Sequence, residues 1–338
     1  MQTTGYRQVL LVQRPQGIPQ SFDFKIVEVP VPVPGPLQVR VRNHFLSVEP
    51  AMRGWVSAVA NYSEPVPLGT VMRSFAVGVI DASQHPDYPV GTTVTGLFGW
   101  QDYAVTDVSA IEQVVEARDL PISSALGVLG INGLTAHYGL LEIGQPRAGE
   151  TVVVSTAAGA VGSCVGQIAK IKACRTVAIA GGALKVKQCL EQFGYDAAVD
   201  YKSPDFAAEI TEACHGGVDI YFDNTSGIIS DEVLKHLNVG ARIAICGTAS
   251  VANWNPAPQG PRIERHLLVK RARMQGFVIF DHADHFSQAR SELASWIRAG
   301  QIRYAEDILA GIEAAPDAIA GLYRGENMGK RLIRLVNN

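Results

Sequence analysis

Hydrophobic and polar positions follow one rhythm in the first third of the chain and another after residue 150. Residues 39–42, 76–80, 93–97 and 102–105 are short runs of β-branched or aromatic side chains separated by Gly and Pro clusters. Such runs predict strands and turns. The stretch VPVPVPGP (29–36) holds four prolines. It predicts an extended edge or connector, because proline donates nothing to a central ladder; a proline-rich ligand segment is the alternative.

From residue 151 the pattern changes. TVVVST (151–156), TVAIA (176–180), AAVDY (197–201), VDIYFDN (218–224), ARIAICG (241–247) and RMQGFVI (273–279) predict six strands. Between them, helices are expected from the AAGAVG turn to about 173, at 185–193 with Gly194 as its stop, at 204–214, and at 230–237 with Gly240 after it. A closing helix is expected at 283–298. Strands alternating with helices at this spacing imply an α/β fold with a parallel, doubly wound sheet. Residues 302–336 return to mixed signals. The expected organisation is a β-rich domain at 1–126 and 301–338, with an α/β domain inserted at 127–300.

Composition narrows the class. At 338 residues, about two domains are expected at roughly 150 residues each. Hydrophobic residues make up 47% and charged residues 18%, enough apolar material for a core and too little polarity for disorder. With 29 Lys plus Arg against 32 Asp plus Glu, and no strongly basic region, a nucleic-acid footprint is not expected. Residues 262–273 (RIERHLLVKRAR) hold five basic residues and one acid and read as a solvated segment. Residues 120–141 and 151–169 lack Asp, Glu, Lys and Arg. Their Gly, Ser, Thr and Ala content, and Pro121, argue for a buried core over a membrane span. The five cysteines, Cys164, Cys174, Cys189, Cys214 and Cys246, have neither disulfide-framework nor C-x-x-C spacing. The first residues lack a signal-peptide pattern, so a reduced, cytoplasmic setting is expected.

The candidate chemistry starts at Ala157-Ala158-Gly159-Ala160-Val161-Gly162, which follows a strand and opens a helix. That is the context of a dinucleotide-binding turn. Gly159 lets backbone approach a pyrophosphate, Gly162 allows close helix–strand packing, and the helix N-terminus attracts the anion. Ala157 stands where the usual motif begins with glycine; a small-residue packing turn is the alternative. An NAD site usually places Asp or Glu at the end of the second strand. Here that strand runs into Gly181, Gly182, Ala183 and Leu184, and then Lys185. A missing carboxylate and a lysine favour NADP over NAD, the lysine facing the 2′-phosphate; an ordinary solvated lysine in a first helical turn is the alternative.

These residues carry a family resemblance. LSVEPAMRG (46–54), VMRSFAVGVI (71–80), GWQDYAV (99–105), GINGLTAHYGLLEIG (130–144), AAGAVGSCVGQIAKIKAC (157–174), YFDNTSG (221–227), ARIAICG (241–247), RMQGFVI (273–279) and GENMGK (325–330) run in order through nearly the whole chain. The sequence resembles a zinc-independent medium-chain dehydrogenase/reductase. Within that family it is similar to the leukotriene B4 dehydrogenase, prostaglandin reductase, alkenal double-bond reductase and curcumin reductase group. The resemblance implies a GroES-like catalytic domain, a Rossmann NADPH-binding domain, no metal, and a homodimer; residues 262–273 would then lie at the dimer interface. It implies that Ala160, Val161, Gly162 and Ser163 meet the pyrophosphate and that Lys185 and Tyr201 hold the 2′-phosphate end. Asn224, Cys246 and Gly247 would line adenosine and ribose. Phe277, Val278 and Ile279 would flank the nicotinamide, with Thr135 near its ring and Asn327 reaching the cofactor from the C-terminal return. The chain departs from the group at Ala51, Ala252 and Val269, where members carry tyrosines; Trp254 is near the second of these.

The implied reaction is NADPH-dependent reduction of the double bond of an α,β-unsaturated ketone or aldehyde. The developing enolate needs hydrogen-bond donors and then a proton on the α-carbon. Tyr62, in the loop after MRG, is the candidate donor, with a surface-loop tyrosine as the alternative. Tyr103 reads as a packing residue, Trp55 as part of an apolar substrate wall, Trp100 as core packing or part of that wall, and Glu49 as a turn residue or one that orients backbone. Quinone reduction and non-catalytic NADPH binding are the competing functions.

Overall fold

The computed structural model describes residues 5–59, 61–117, 119–251 and 256–336. In chain order the first strands are β1 (Gly5–Leu11), β2 (Phe24–Pro30), β3 (Gln38–Ser47), β4 (Ala76–Ser83), β5 (Thr93–Gly96), β6 (Tyr103–Asp107) and β7 (Ile111–Val114), with the short helix α1 (Met52–Trp55) after β3. Next come α2 (Ile131–Tyr138), β8 (Thr151–Ser155), α3 (Ala160–Ile171), β9 (Arg175–Ala180), α4 (Ala183–Glu191), β10 (Ala197–Asp200) and α5 (Phe206–Ala213). They are followed by β11 (Val218–Asp223), α6 (Gly227–Val233), β12 (Leu237–Ile245), α7 (Glu264–Lys270), β13 (Arg273–Gly276) and α8 (Phe286–Arg298). The chain closes with β14 (Glu306–Ala310), α9 (Ala315–Arg324) and β15 (Lys330–Arg334).

The chain divides into two compact units, one of Met1–Gly127 with Glu306–Asn338, the other of Val128–Ala305. The first is built on a seven-stranded sheet in the order β14-β15-β3-β4-β5-β7, with β6 also paired to β3 and a separate β1–β2 ribbon. Strand β15 pairs antiparallel to β3, Leu332 opposite Ser47. The C-terminal return is thus built into the N-terminal sheet. Trp100 lies in this core at 0% exposure, and its indole N–H donates to the Ser47 carbonyl at 3.1 Å. Tyr103 packs edge-on against Tyr6 at 5.9 Å and under the Arg40 guanidinium. Both are packing residues.

The second unit carries a six-stranded parallel sheet, β10-β9-β8-β11-β12-β13. Every residue of β8 is buried, as a central parallel strand covered on both faces requires. The order reverses between β8 and β11, the switch point where ligands of doubly wound sheets sit. Among the described residues no helix is long and apolar enough to cross a membrane. Residues 120–141 contain only the eight-residue α2 as a regular α-helix, continued by a π-helical turn, Gly139–Gly144.

Several boundaries differ from the sequence reading. Strand β2 ends at Pro30, and residues 31–35 are irregular connector. Leu237 opens β12 instead of ending a helix, because its side chain is buried in the core beside Val233 and Leu234. Strand β13 stops at Gly276, so Phe277 and Val278 lie beyond it. Residues 262–273 hold helix α7, and Leu267 on it and its N-cap Ile263 pack on the core around the sheet. Burial raises all five cysteine thiols: Cys164, Cys189 and Cys246 to about 12, Cys174 and Cys214 to about 11.

Candidate active site

The turn between β8 and α3 is built by small residues at a forced close approach. A Cβ on Gly162 would fall 2.3 Å from the Thr156 carbonyl oxygen and 2.8 Å from the Ala157 Cα. Only glycine lets α3 start this close to the strand. Gly159 is the N-cap and has no capping side chain. The amide of Ser163 bonds the Gly159 carbonyl at 2.9 Å. The amides of Ala160, Val161 and Gly162 precede it, in the turn of a helix that has no intrahelical acceptors. Their dipoles and the positive helix end suit an anion. Tyr195 buttresses the turn from behind, its hydroxyl donating to the Gly162 carbonyl at 2.6 Å.

A second group gathers at the ends of β9 and β10. Gly181 is pressed against the Tyr201 ring, which a Cβ there would meet at 2.7 Å. Lys185 lies in the first turn of α4, half-buried. Asp200 is the acid of this corner, and the sequence reading missed it. Its Oδ1 accepts the amides of Gly182 and Lys202, each at 2.9 Å, so one carboxylate oxygen is committed to backbone. Gly182 has φ +91°, a conformation glycine tolerates.

Asn224 and Gly247 meet at the ends of β11 and β12. A Cβ on Gly247 would lie 2.8 Å from the Asn224 carbonyl oxygen, and the amides of Cys246 and Gly247 both reach the Asp223 carbonyl. Phe277 packs at 5.8 Å from Tyr138 and 6.4 Å from Phe222, over Gly139, where a Cβ would strike its ring. Its ring belongs to that cluster. Ile279 is buried against Leu134, Phe286 and Ala289; Val278 is half-buried. The Thr135 hydroxyl donates to the Ile131 carbonyl at 2.7 Å.

Tyr62, Glu49, Ala51 and Asn327 lie in the other unit. Tyr62 is 55% exposed. The adjoining residues of its loop are held by Arg73, whose Nη1 donates to Ser63 Oγ at 2.5 Å and to the Glu64 carbonyl at 3.0 Å. Tyr323 is a neighbour the sequence reading missed. Burial pushes its phenol up, and Arg53, 4.9 Å from its ring centre, opposes that; Tyr62 pushes it further up. The Tyr323 hydroxyl donates to the Pro50 carbonyl at 3.1 Å. The Asn327 side chain donates to the Gly329 carbonyl. Glu49 is buried in an ion pair with Lys330 at 2.7 Å, and its Oε1 also accepts the Ser47 hydroxyl at 2.7 Å. Ala51 is the N-cap of α1 and Val269 is exposed on α7; Ala252 and Trp254 lie outside the described residues. Among the described residues no group of three or more His, Cys, Asp or Glu is placed to hold a metal ion.

A parallel sheet with a glycine turn at its switch point, in a chain that also carries a β-rich unit, fits the dinucleotide-dependent oxidoreductases. Comparison with known proteins refines the class. Residues 7–114 match the N-terminal domain of oxidoreductases, and 160–295 match the zinc-binding dehydrogenase family model. The NADPH-dependent curcumin reductase of Escherichia coli is 42% identical, over 98% of this chain and 97% of its own. The NADP-dependent 2-alkenal reductase of Nicotiana tabacum is 35% identical over 97% and 96%. The structure of CurA from Vibrio vulnificus in complex with NADPH superposes with a TM-score of 0.91, at 39% identity, covering 98% of this chain and 100% of that one. The chain belongs to the zinc-independent medium-chain dehydrogenases/reductases, in the group of NADP-dependent double-bond reductases that includes the curcumin, alkenal and prostaglandin reductases.

Proposed function

We propose that this protein uses NADPH to reduce the carbon–carbon double bond of an α,β-unsaturated ketone or aldehyde. The observation that best supports cofactor use is the β8–α3 turn, where the amides of Ala160, Val161 and Gly162 suit a pyrophosphate and Gly162 leaves no room for a side chain. Lys185 and Tyr201 are proposed for the 2′-phosphate, at a corner where Oδ1 of the strand-end Asp200 already accepts two backbone amides. Asn224, Cys246 and Gly247 are proposed for the ribose and adenosine, Phe277, Val278, Ile279 and Thr135 for the nicotinamide end, and Asn327 as a further cofactor contact. When bound, the nicotinamide would supply a hydride to the substrate's β-carbon, and a proton from solvent at the α-carbon completes the reduction. Tyr62 is proposed to donate a hydrogen bond to the carbonyl oxygen as it gains enolate charge.

Mixing the protein with NADPH and a panel of enones and quinones, and following nicotinamide absorbance, tests the reaction. Turnover of quinones alone would overturn it, as would cofactor binding without turnover. Lys185→Ala should raise the dissociation constant for NADPH about tenfold or more, the loss of one charge-assisted contact, and leave that for NADH nearly unchanged. Equal effects would remove the phosphate assignment. Tyr62→Phe should lower kcat by about 10²-fold or more, in the range for losing one oxyanion donor, with little change in NADPH affinity. Unchanged turnover would take Tyr62 out of the mechanism.

A further inference from the structure

Asp223 is 1% exposed at the end of β11, beside the switch point. Its Oδ1 accepts the amides of Thr225 at 2.9 Å and Ser226 at 2.8 Å, and the hydroxyls of Tyr221 at 3.1 Å and Ser155 at 3.3 Å. Its Oδ2 accepts the Ser230 hydroxyl at 2.6 Å. None of these partners is a cation. A carboxylate buried this way is costly unless it is fully hydrogen-bonded, and ionised it can only accept. Every neighbour is therefore made a donor.

For Ser155 the consequence is directional. Its one hydroxyl hydrogen goes to Asp223, so Oγ is left to accept, and it accepts the Asn224 amide at 2.8 Å. The Asn224 side chain is then anchored on the same residue, Nδ2 donating to the Ser155 carbonyl at 2.7 Å. A carbonyl cannot pair with a carbonyl, so the nitrogen must face Ser155 and Oδ1 must point elsewhere. An oxygen presented this way reads a hydrogen-bond donor.

We propose that Asp223 is a positioning residue for cofactor recognition. Acting through the Ser155 hydroxyl, it holds the Asn224 backbone amide in place, and with it the side chain whose oxygen accepts from a ribose hydroxyl. The left-handed Ser226 (φ +59°) and Gly227 (φ +64°) that follow are held by the same carboxylate through the Ser226 amide. The inference rests on the proposed NADPH binding and adds the residues that aim one of its contacts.

The test is a double-mutant cycle on the NADPH dissociation constant, read by nicotinamide fluorescence. Asn224→Ala and Ser155→Ala should each weaken binding by about fivefold to tenfold, the loss of one hydrogen bond. If Ser155 acts through Asn224, Ser155→Ala in the Asn224→Ala background should change binding by less than about twofold. Asp223→Asn keeps an acceptor for the two amides and should bind NADPH more tightly than Asp223→Ala; thermal unfolding separates that from misfolding, and the Ser155 cycle stands if Asp223→Ala does not fold. Effects that multiply independently, with wild type binding NADPH, overturn this inference alone. Wild type that takes up no NADPH overturns the proposed function as well.

Discussion

Lys330→Met is expected to lower the unfolding free energy by about 3–5 kcal/mol, the cost of breaking a buried ion pair from one side. The Lys330 side chain is 4% exposed and that of Glu49 9%. The ammonium donates to Ser47 Oγ at 2.6 Å, the Val48 carbonyl at 2.9 Å and Glu49 Oε1 at 2.7 Å. All three of its hydrogens are used. Burial lowers the Lys330 pKa, and Glu49 works against that shift. Methionine matches the length of the stem but supplies no donor. The Glu49 carboxylate and the Val48 carbonyl would each lose the Lys330 ammonium, inside the sheet that joins β3 to β15. Denaturant unfolding measures the effect. A midpoint equal to wild type would show that water reaches the site freely. Lys330→Met combined with Glu49→Gln should cost less than the sum of the two single changes, since the two side chains bond each other directly.

That ion pair also marks the limit of what the sequence discloses. The β8 turn and α3 were legible because their pattern is local: a β-branched run, two glycines, then small residues at helical spacing. Lys330 stands in GENMGK, and its partners lie 281 to 283 residues earlier. No local period encodes that meeting; it exists only because β15 pairs with β3. Asp223 is similar. Within VDIYFDN it reads as the last residue of a strand, and its role depends on Ser155, 68 residues away. Leu237 shows the converse. Local helical propensity carried the reading past residue 236, but packing beside Val233 and Leu234 at the start of β12 overrides it. Tyr323, beside Arg53, escaped notice because α9 offered no motif.

Gly162→Ala is expected to weaken NADPH binding at least about tenfold and to lower the unfolding free energy by about 1–3 kcal/mol, the usual cost of overpacking. Helix propensity alone forecasts the opposite sign, since Ala is favoured over Gly in a helix by about 1 kcal/mol. Gly162 has no left-handed φ that would explain a glycine there. Space decides. The added carbon would sit 2.3 Å from the Thr156 carbonyl oxygen, 2.8 Å from the Ala157 Cα and 2.9 Å from the Thr156 carbonyl carbon. All three are backbone atoms, so no rotamer change makes room. Nor can α3 simply back away. Tyr195 bonds the Gly162 carbonyl, and its ring fills the space over Gly166, where a Cβ would also collide with it. The strain must move the start of α3, and with it the amides of Ala160 and Val161 proposed for the pyrophosphate. Gly216→Ala is the control, because a Cβ there meets nothing within 4 Å and its φ is not left-handed. Titration with NADPH and thermal unfolding of both variants measure the contrast. If Gly162→Ala behaved like Gly216→Ala, the close approach of helix and strand would not be what requires glycine in this turn.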